Sequence, residues 1–242
     1  MLYRYVLVEI LKLRRSLALM LCLAAPACVA ILVTIMALDK EGPVSLNTIG
    51  INASALWAFA MMPLSITALS VLMAQMEHAP RSWDHVLTLP GARPRIFLAK
   101  ALVMVGLLAA MQVLLFLLLS GAAPLIASLH TVTGTFDPLV LGWTLARMGV
   151  AAMLVCMLQL WVALRFRSFV PPLILGIAGT FAAIAATGAR QGAYFPWLMS
   201  VNMLAADEHA QMIAITLGGG GGLVALAAML VHLSRREAVA PS

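Results

Sequence analysis

The chain has 242 residues, of which 63% are hydrophobic and only 10% charged, with a mean hydropathy of +1.04. Soluble globular domains carry about 25% charged residues, so this composition excludes one and points to a membrane protein. The net charge of +6 is explained by basic residues between apolar stretches, where they set topology and meet anionic headgroups, and no nucleic-acid partner is expected.

Taken in chain order, residues 1–16 place Tyr3, Val6, Leu7, Ile10 and Leu13 on one side of a helix and Arg4, Lys12 and Arg15 on the other. This pattern predicts an interfacial helix on the inner leaflet, with the chain entering the bilayer at Arg14-Arg15-Ser16. A plain basic flank is the alternative. A bilayer core of about 30 Å needs about 20 apolar helical residues, and six stretches qualify. They run from Leu17 to Leu38, Ile51 to Ala74, Ile96 to Leu119, Leu139 to Leu164, Val170 to Thr187, and Gln211 to Leu233. The fold class expected is an all-α, six-span membrane bundle.

The first span contains Ala24-Ala25-Pro26-Ala27-Cys28, which resembles a signal-cleavage site. Its apolar stretch exceeds the roughly 7–15 residues of a signal peptide, so an uncleaved anchor is expected. Spans one and two occupy residues 17–75. A polar segment, 76–99, separates the second span from the third. Within it Trp83, Val86, Leu87 and Pro90 recur at helical spacing, while Arg81, Asp84, His85 and Thr88 point elsewhere. Pro80 is placed to start a helix and Pro90-Gly91 to end it, with a second start at Pro94 leading through Lys100 into the third span. The alternative is an ordinary amphipathic loop.

Spans three to six occupy residues 96–233. The fourth carries the one clear intramembrane charge, Arg147, ten residues beyond Asp137-Pro138 and so about 15 Å below the outer surface. It must face protein or water. It either lines a substrate path or makes a structural hydrogen bond to backbone or a neighbouring span, and we favour the second. The sixth span holds Gly218, Gly219, Gly220, Gly221 and Gly222. Consecutive glycines weaken a helix, so the run is either a flexing kink or a flat surface for close packing, and packing is preferred. Residues 234–242 form a cytoplasmic tail.

Orientation follows from the basic residues. With the N-terminus inside, the inner segments hold Arg4, Lys12, Arg14, Arg15, Arg81, Arg93, Arg95, Lys100, Arg165, Arg167, Arg235 and Arg236, twelve of the fifteen Lys and Arg. The outer segments keep Lys40 and Arg190 beside Asp39, Glu41, Asp137, Asp207 and Glu208. Both termini are expected in the cytoplasm, and the protein in the inner membrane.

No enzymatic motif is found. His78, His85, His130, His209 and His232 form no His-Glu-x-x-His pattern, and neither a Gly-x-Ser-x-Gly elbow nor a phosphate-binding loop is present. Cys22, Cys28 and Cys156 fall inside spans at no metal-ligand spacing and are expected to pack as small hydrophobes. No catalytic residue, cofactor or metal is expected in this chain, and no internal repeat is evident.

The stretch from Glu77 to Lys100, with Ser82-Trp83, Leu87-Thr88-Leu89-Pro90, a basic residue and a lysine at the third span, resembles the signature loop of type-2 ATP-binding-cassette (ABC) exporter permeases. Ser82-Trp83 stands where Gly-Thr is more usual. Glu9-Ile10-Leu11-Lys12-Leu13-Arg14-Arg15-Ser16 is similar to the start of the same family, in particular its small lantibiotic-immunity and bacteriocin-export branch. The resemblance implies a permease that pairs with itself or a sister permease above two cytoplasmic ABC ATPase subunits. ATP and Mg would bind in those partners. It also implies that segment 76–99 is the coupling segment, with Arg81, Trp83, Asp84, His85, Val86 and Leu87 docking on the ATPase and Glu77 as a salt-bridge partner near the inner membrane face. The cargo implied is apolar or amphipathic: a peptide, an antibiotic or a lipid-like molecule. Two other readings stand beside it: a haem-exporter-type permease, for which His130 and Trp197 are too isolated to supply a site, and a stand-alone intramembrane enzyme, sensor or immunity protein.

Overall fold

The computed structural model describes residues 2–14, 16–78 and 93–235. The docking residues Arg81, Trp83, Asp84, His85, Val86 and Leu87, the expected coupling helix and most of the tail lie outside them.

The described residues are almost entirely helical. Helix α1 (Leu2–Leu13) is followed by α2 (Leu17–Leu38), whose limits coincide with the predicted first span. Helix α3 (Leu46–His78) starts five residues before the predicted second span and continues past it. Helix α4 (Arg93–Leu129) has 37 residues, about 55 Å of helix, which is longer than a hydrocarbon core of about 30 Å is thick. The predicted fourth span is two helices, α5 (Pro138–Ala151) and α6 (Met153–Arg165), bent by 43°. Helix α7 (Val170–Ala186) has 17 apolar residues. The chain then passes through short turns and α8 (Met199–Asn202) to α9 (Glu208–Ser234).

Among the described residues, four helices are long and apolar enough to cross a bilayer, or five if the α5–α6 pair is one bent span. The protein is an all-α membrane bundle with one small addition. Strands β1 (Val44–Ser45) and β2 (Val132–Thr133) pair in parallel, with Val44 opposite Val132, and tie the α2–α3 and α4–α5 connections together. Gly42 and Gly134 flank these strands with φ of 91° and 74°, a region that costs other residues about 1–2 kcal/mol.

The irregular points have local causes. In α3 the backbone widens to a π-turn at Trp57–Met61. The Met62 amide bonds to the Trp57 carbonyl five residues back, and Pro63 has no N–H with which to continue the regular ladder. In α9 a second π-turn covers Thr216–Gly220, the first part of the glycine run. The α5–α6 bend at Ala152 contains neither Pro nor Gly, and the glycine run of α9 packs against it. A Cβ on Gly218 would stand 2.3 Å from the Ala151 carbonyl oxygen, and one on Gly222 would stand 2.7 Å from the Met153 Cβ. The backbone of α9 thus lies directly against the bend. Gly220 has nothing within 4 Å.

The connection from α7 to α9 folds back into the bundle. Trp197, Leu198, Met199 and Ser200 are buried there. Trp197 stacks on Phe195 with ring centroids 5.7 Å apart and covers Gly179, where a Cβ would meet its ring at 2.3 Å. Trp197 is therefore a core residue. Of the cysteines, Cys22 and Cys156 are buried as expected, whereas Cys28 is exposed on the outward face of α2. The core itself is centred on Trp57, Met62 and Ile66 of α3, Leu108, Met111 and Leu115 of α4, and Met148 and Leu160 of α5 and α6.

Candidate functional site

Helix α1 presents two apolar faces. Leu13 is buried and Val6 half-buried against the bundle, while Tyr3, Leu7, Ile10 and Leu11 are exposed. The inward face also carries Glu9, only 7% exposed and surrounded by apolar side chains. A lone carboxylate there would be strongly disfavoured. Two lysines stand against it.

Lys100, two turns into α4 and fully buried, donates to Glu9 Oε2 at 2.7 Å and to Glu77 Oε1 at 3.0 Å. Lys12 donates to Glu9 Oε1 at 3.0 Å and to Glu77 Oε1 at 2.5 Å. Glu77 is 2% exposed, one residue before the end of α3. Two carboxylates and two ammonium groups from three helices thus meet in one cluster whose formal charges balance; Glu9, Glu77 and Lys100 are buried in it, and the Lys12 side chain is 33% exposed. Its distances are those of charge-assisted hydrogen bonds, the geometry that offsets the desolvation of buried ions. Burial alone lowers the affinity of Lys12 for its proton, but the hydrogen bonds to Glu77 and Glu9 and their negative charges outweigh it, holding its pKa above the ordinary 10.5. The stabilisation this shift represents is fully present below pH 10.5, persists at neutral pH and is lost only as pH rises through the raised value.

The position of the cluster in the chain is its most informative property. Glu77 precedes segment 79–92 by two residues, and Lys100 follows it by eight. Both roots of that segment are therefore held to each other and to α1. The family resemblance implied Glu77 as a salt-bridge partner and included Lys100 at the third span, while helical spacing set Lys12 on the side of α1 opposite its apolar residues and gave Glu9 no role. The signal was the i, i+3 pair Glu9–Lys12 on a helix whose Glu falls beside Val6 and Leu13.

Arg147 is half-buried, and its Nη2 donates to Gln211 Oε1 at 2.6 Å. Gln211 Nε2 in turn donates to the Ala205 carbonyl at 2.7 Å. This is a hydrogen bond to a neighbouring helix, joining α5 to the start of α9. A third polar contact lies at the π-turn of α3, where the indole N–H of Trp57 donates to Gln112 Oε1 at 2.8 Å. Trp57 is fully buried and Gln112 is 7% exposed. Gln112→Leu should therefore cost about 1–3 kcal/mol by orphaning the Trp57 N–H. The measurement is equilibrium unfolding in mixed micelles, with Trp57→Phe in the same background expected to recover part of the loss.

Gln112 is also the polar group of a cleft of about 410 Å³ between α4 and α5, walled by Leu108, Val113, Phe116, Leu145 and Met153. Among the described residues no three His, Cys, Asp or Glu side chains are placed to hold a metal ion.

Residues 5–183 match the family described as ABC-2 family transporter protein. No curated protein matches the chain. The family match covers α1 through α7 apart from the first residues of α1 and the last of α7, well over half of the 242 residues, and includes all four members of the charged cluster. The chain belongs to the ABC-2 family of transporter proteins.

Proposed function

We propose that the protein is the permease subunit of an ABC exporter, moving an apolar or amphipathic molecule with ATP hydrolysed by a separate subunit. The observation that carries this reading is the cluster of buried Glu9, Glu77 and Lys100 with the more exposed Lys12 at the two roots of segment 79–92. A segment that receives force from a cytoplasmic partner needs rigid roots, because a compliant anchor absorbs displacement instead of passing it on. A neutral cluster of buried ion pairs is such an anchor: separating one charge from the others costs about 3–5 kcal/mol.

In this proposal segment 79–92 docks on the ATPase through Trp83 as aromatic anchor and Arg81 and Asp84 as charged neighbours, with His85, Val86 and Leu87 completing the surface. Helix α1 lies in the inner-leaflet interface with Tyr3, Leu7, Ile10 and Leu11 toward lipid. The bent α5–α6 pair serves as the fourth span and α7 as the fifth, whose 17 residues reach about 26 Å and fall at the short end of the spanning range. This makes six spans with both termini cytoplasmic in an inner membrane. The working unit is two permease chains and two ATPase subunits carrying ATP and Mg, and this chain performs no catalysis. The small lantibiotic-immunity and bacteriocin-export branch is the closest functional setting, and the apolar α4–α5 cleft is consistent with its cargo.

The test is affinity purification of the tagged protein from its native membrane in mild detergent, followed by mass spectrometry. A soluble ATPase with a phosphate-binding loop is expected to remain bound. Trp83→Ala should weaken that association by about 30-fold, the equivalent of a hot-spot loss of about 2 kcal/mol, without altering thermal unfolding of the permease. Unchanged association in Trp83→Ala would remove the docking assignment. A clean single chain in several detergents would remove the permease–ATPase reading.

A further inference from the structure

The cleft between α4 and α5 is walled by apolar side chains and carries a single polar one among its described lining residues, that of Gln112. Its α5 wall is low, because Gly142, Ala146 and Gly149 recur on one face of that helix. A Cβ on Gly149 would stand 3.4 Å from Gln112 Nε2, so the amide nitrogen faces this bare stretch of wall. Val113 and Val150 also line the cleft and are exposed on the surface of the bundle, which leaves it open sideways.

The orientation of the Gln112 amide is set by its neighbour. An indole N–H can only donate, so the amide oxygen must face Trp57 Nε1, 2.8 Å away, and the NH2 group must face the other side. One of its two protons serves Met62 Sδ at 3.5 Å, a weak acceptor. The other has no acceptor among the described residues, on a side chain only 7% exposed. A donor kept from water in this way is disfavoured until an acceptor reaches it.

The surroundings select the chemistry of that acceptor. No charged side chain is among the described lining residues, so an ion entering the cleft would lose its hydration without compensation. Gln112 stands near the middle of α4. A phospholipid tail at that depth fills the shape of the cleft but brings no oxygen to the amide. What satisfies both the walls and the donor is an uncharged apolar body with an acceptor oxygen along its length.

We propose that the α4–α5 cleft binds neutral, apolar molecules bearing a ketone, ester or ether oxygen, which accepts from the Gln112 N–H. As a statement about cargo this rests on the exporter reading. Binding to the chain needs no ATPase, so failure here leaves ATPase association to be judged by its own measurement.

The experiment is a scintillation-proximity titration of the tagged full chain in dodecyl maltoside micelles with tritiated 6-undecanone, empty micelles subtracted. Unlabelled competitors are compared at equal mole fraction in the micelle, which removes their different solubilities in water. Saturable ketone binding is expected, with undecane, of the same length but without an acceptor, at least about tenfold weaker. That ratio is about 1.4 kcal/mol, the upper part of the range for one net hydrogen bond, as suits a micelle interior that offers the ketone no donor. Undecylamine, protonated at neutral pH, should also compete at least about tenfold more weakly. Ala146→Leu fills the cleft from an exposed position of α5 and should weaken ketone binding at least about tenfold. Gln112→Leu combined with Trp57→Phe removes the donor without orphaning an indole N–H, and should bring ketone and undecane to within about twofold of each other.

Equal affinities of ketone and undecane for the parent chain would overturn the proposal, as would the absence of saturable ketone binding. Competition by undecylamine as strong as that of the ketone would overturn the requirement for a neutral ligand. Ketone binding untouched by Ala146→Leu would place the ligand elsewhere, and a ketone preference that survives the double variant would show that Gln112 is not its donor; either result overturns the assignment.

Discussion

Lys100→Met is expected to destabilise the protein by about 3–5 kcal/mol, the usual consequence of removing one partner from a buried ion cluster. The length of methionine nearly preserves the packing of the lysine stem, so the loss is electrostatic. Glu9 Oε2 loses its 2.7 Å donor, and Glu77 Oε1 loses one of the two lysine bonds it accepts. Of the cluster's two ammonium groups only that of Lys12 then remains beside Glu9 and Glu77, which are 7% and 2% exposed. Adding Glu9→Gln to Lys100→Met restores neutrality, with Lys12 and Glu77 as the remaining pair, and should recover more than half of the loss. Both effects are read by equilibrium unfolding in mixed micelles. A single variant within about 1 kcal/mol of the parent, the magnitude typical of a solvated ion pair, would show that the cluster is not buried as described. Absence of rescue would show that lysine packing, not charge balance, is what matters.

The glycine run should divide by position. Gly218→Ala places a Cβ 2.3 Å from a backbone carbonyl oxygen, which has no rotamer by which to withdraw. Either α9 or the α5–α6 bend must shift, and overpacking of this kind costs about 1–3 kcal/mol, with the upper end expected against backbone. Gly220→Ala meets nothing within 4 Å, and replacing a helical glycine in open space gains up to about 1 kcal/mol. Two alanines two residues apart are therefore expected to act with opposite sign on unfolding. If both stabilise, the close approach to Ala151 is absent. If both leave stability untouched yet abolish transport, the run acts as a hinge and not as a packing surface.

Helices α2, α7 and α9 were legible within a few residues, because long apolar stretches bounded by charges or helix breakers have few alternatives in a bilayer. The bend between α5 and α6 was not. Ala151, Ala152 and Met153 carry no breaker, and the neighbour that packs closely on the bend, the Gly218 and Gly222 backbone, comes from a helix far along the chain. The two π-turns escaped notice for related reasons. Pro63 marks the first only when its missing N–H is matched to the Trp57 carbonyl, and the second overlaps a run whose packing and flexing roles have the same composition. The Arg147 hydrogen bond was anticipated in kind, but its partner Gln211 lies 64 residues away.

For this protein the sequence by itself determined the membrane setting and the order of the apolar helices, since each depends on hydropathy summed over local windows. It also contained the acid–base spacing of Glu9 and Lys12 and the isolated charges Glu77 and Lys100 at the margins of apolar stretches. Only the tertiary structure decided that these four meet, that α1 is bound to α3 and α4 by them, and that Trp57 finds Gln112 as its hydrogen-bond partner. Those outcomes depend on which helix faces turn toward one another. That is a property of packing between segments as far as 91 residues apart, the separation of Glu9 and Lys100, and no local pattern encodes it.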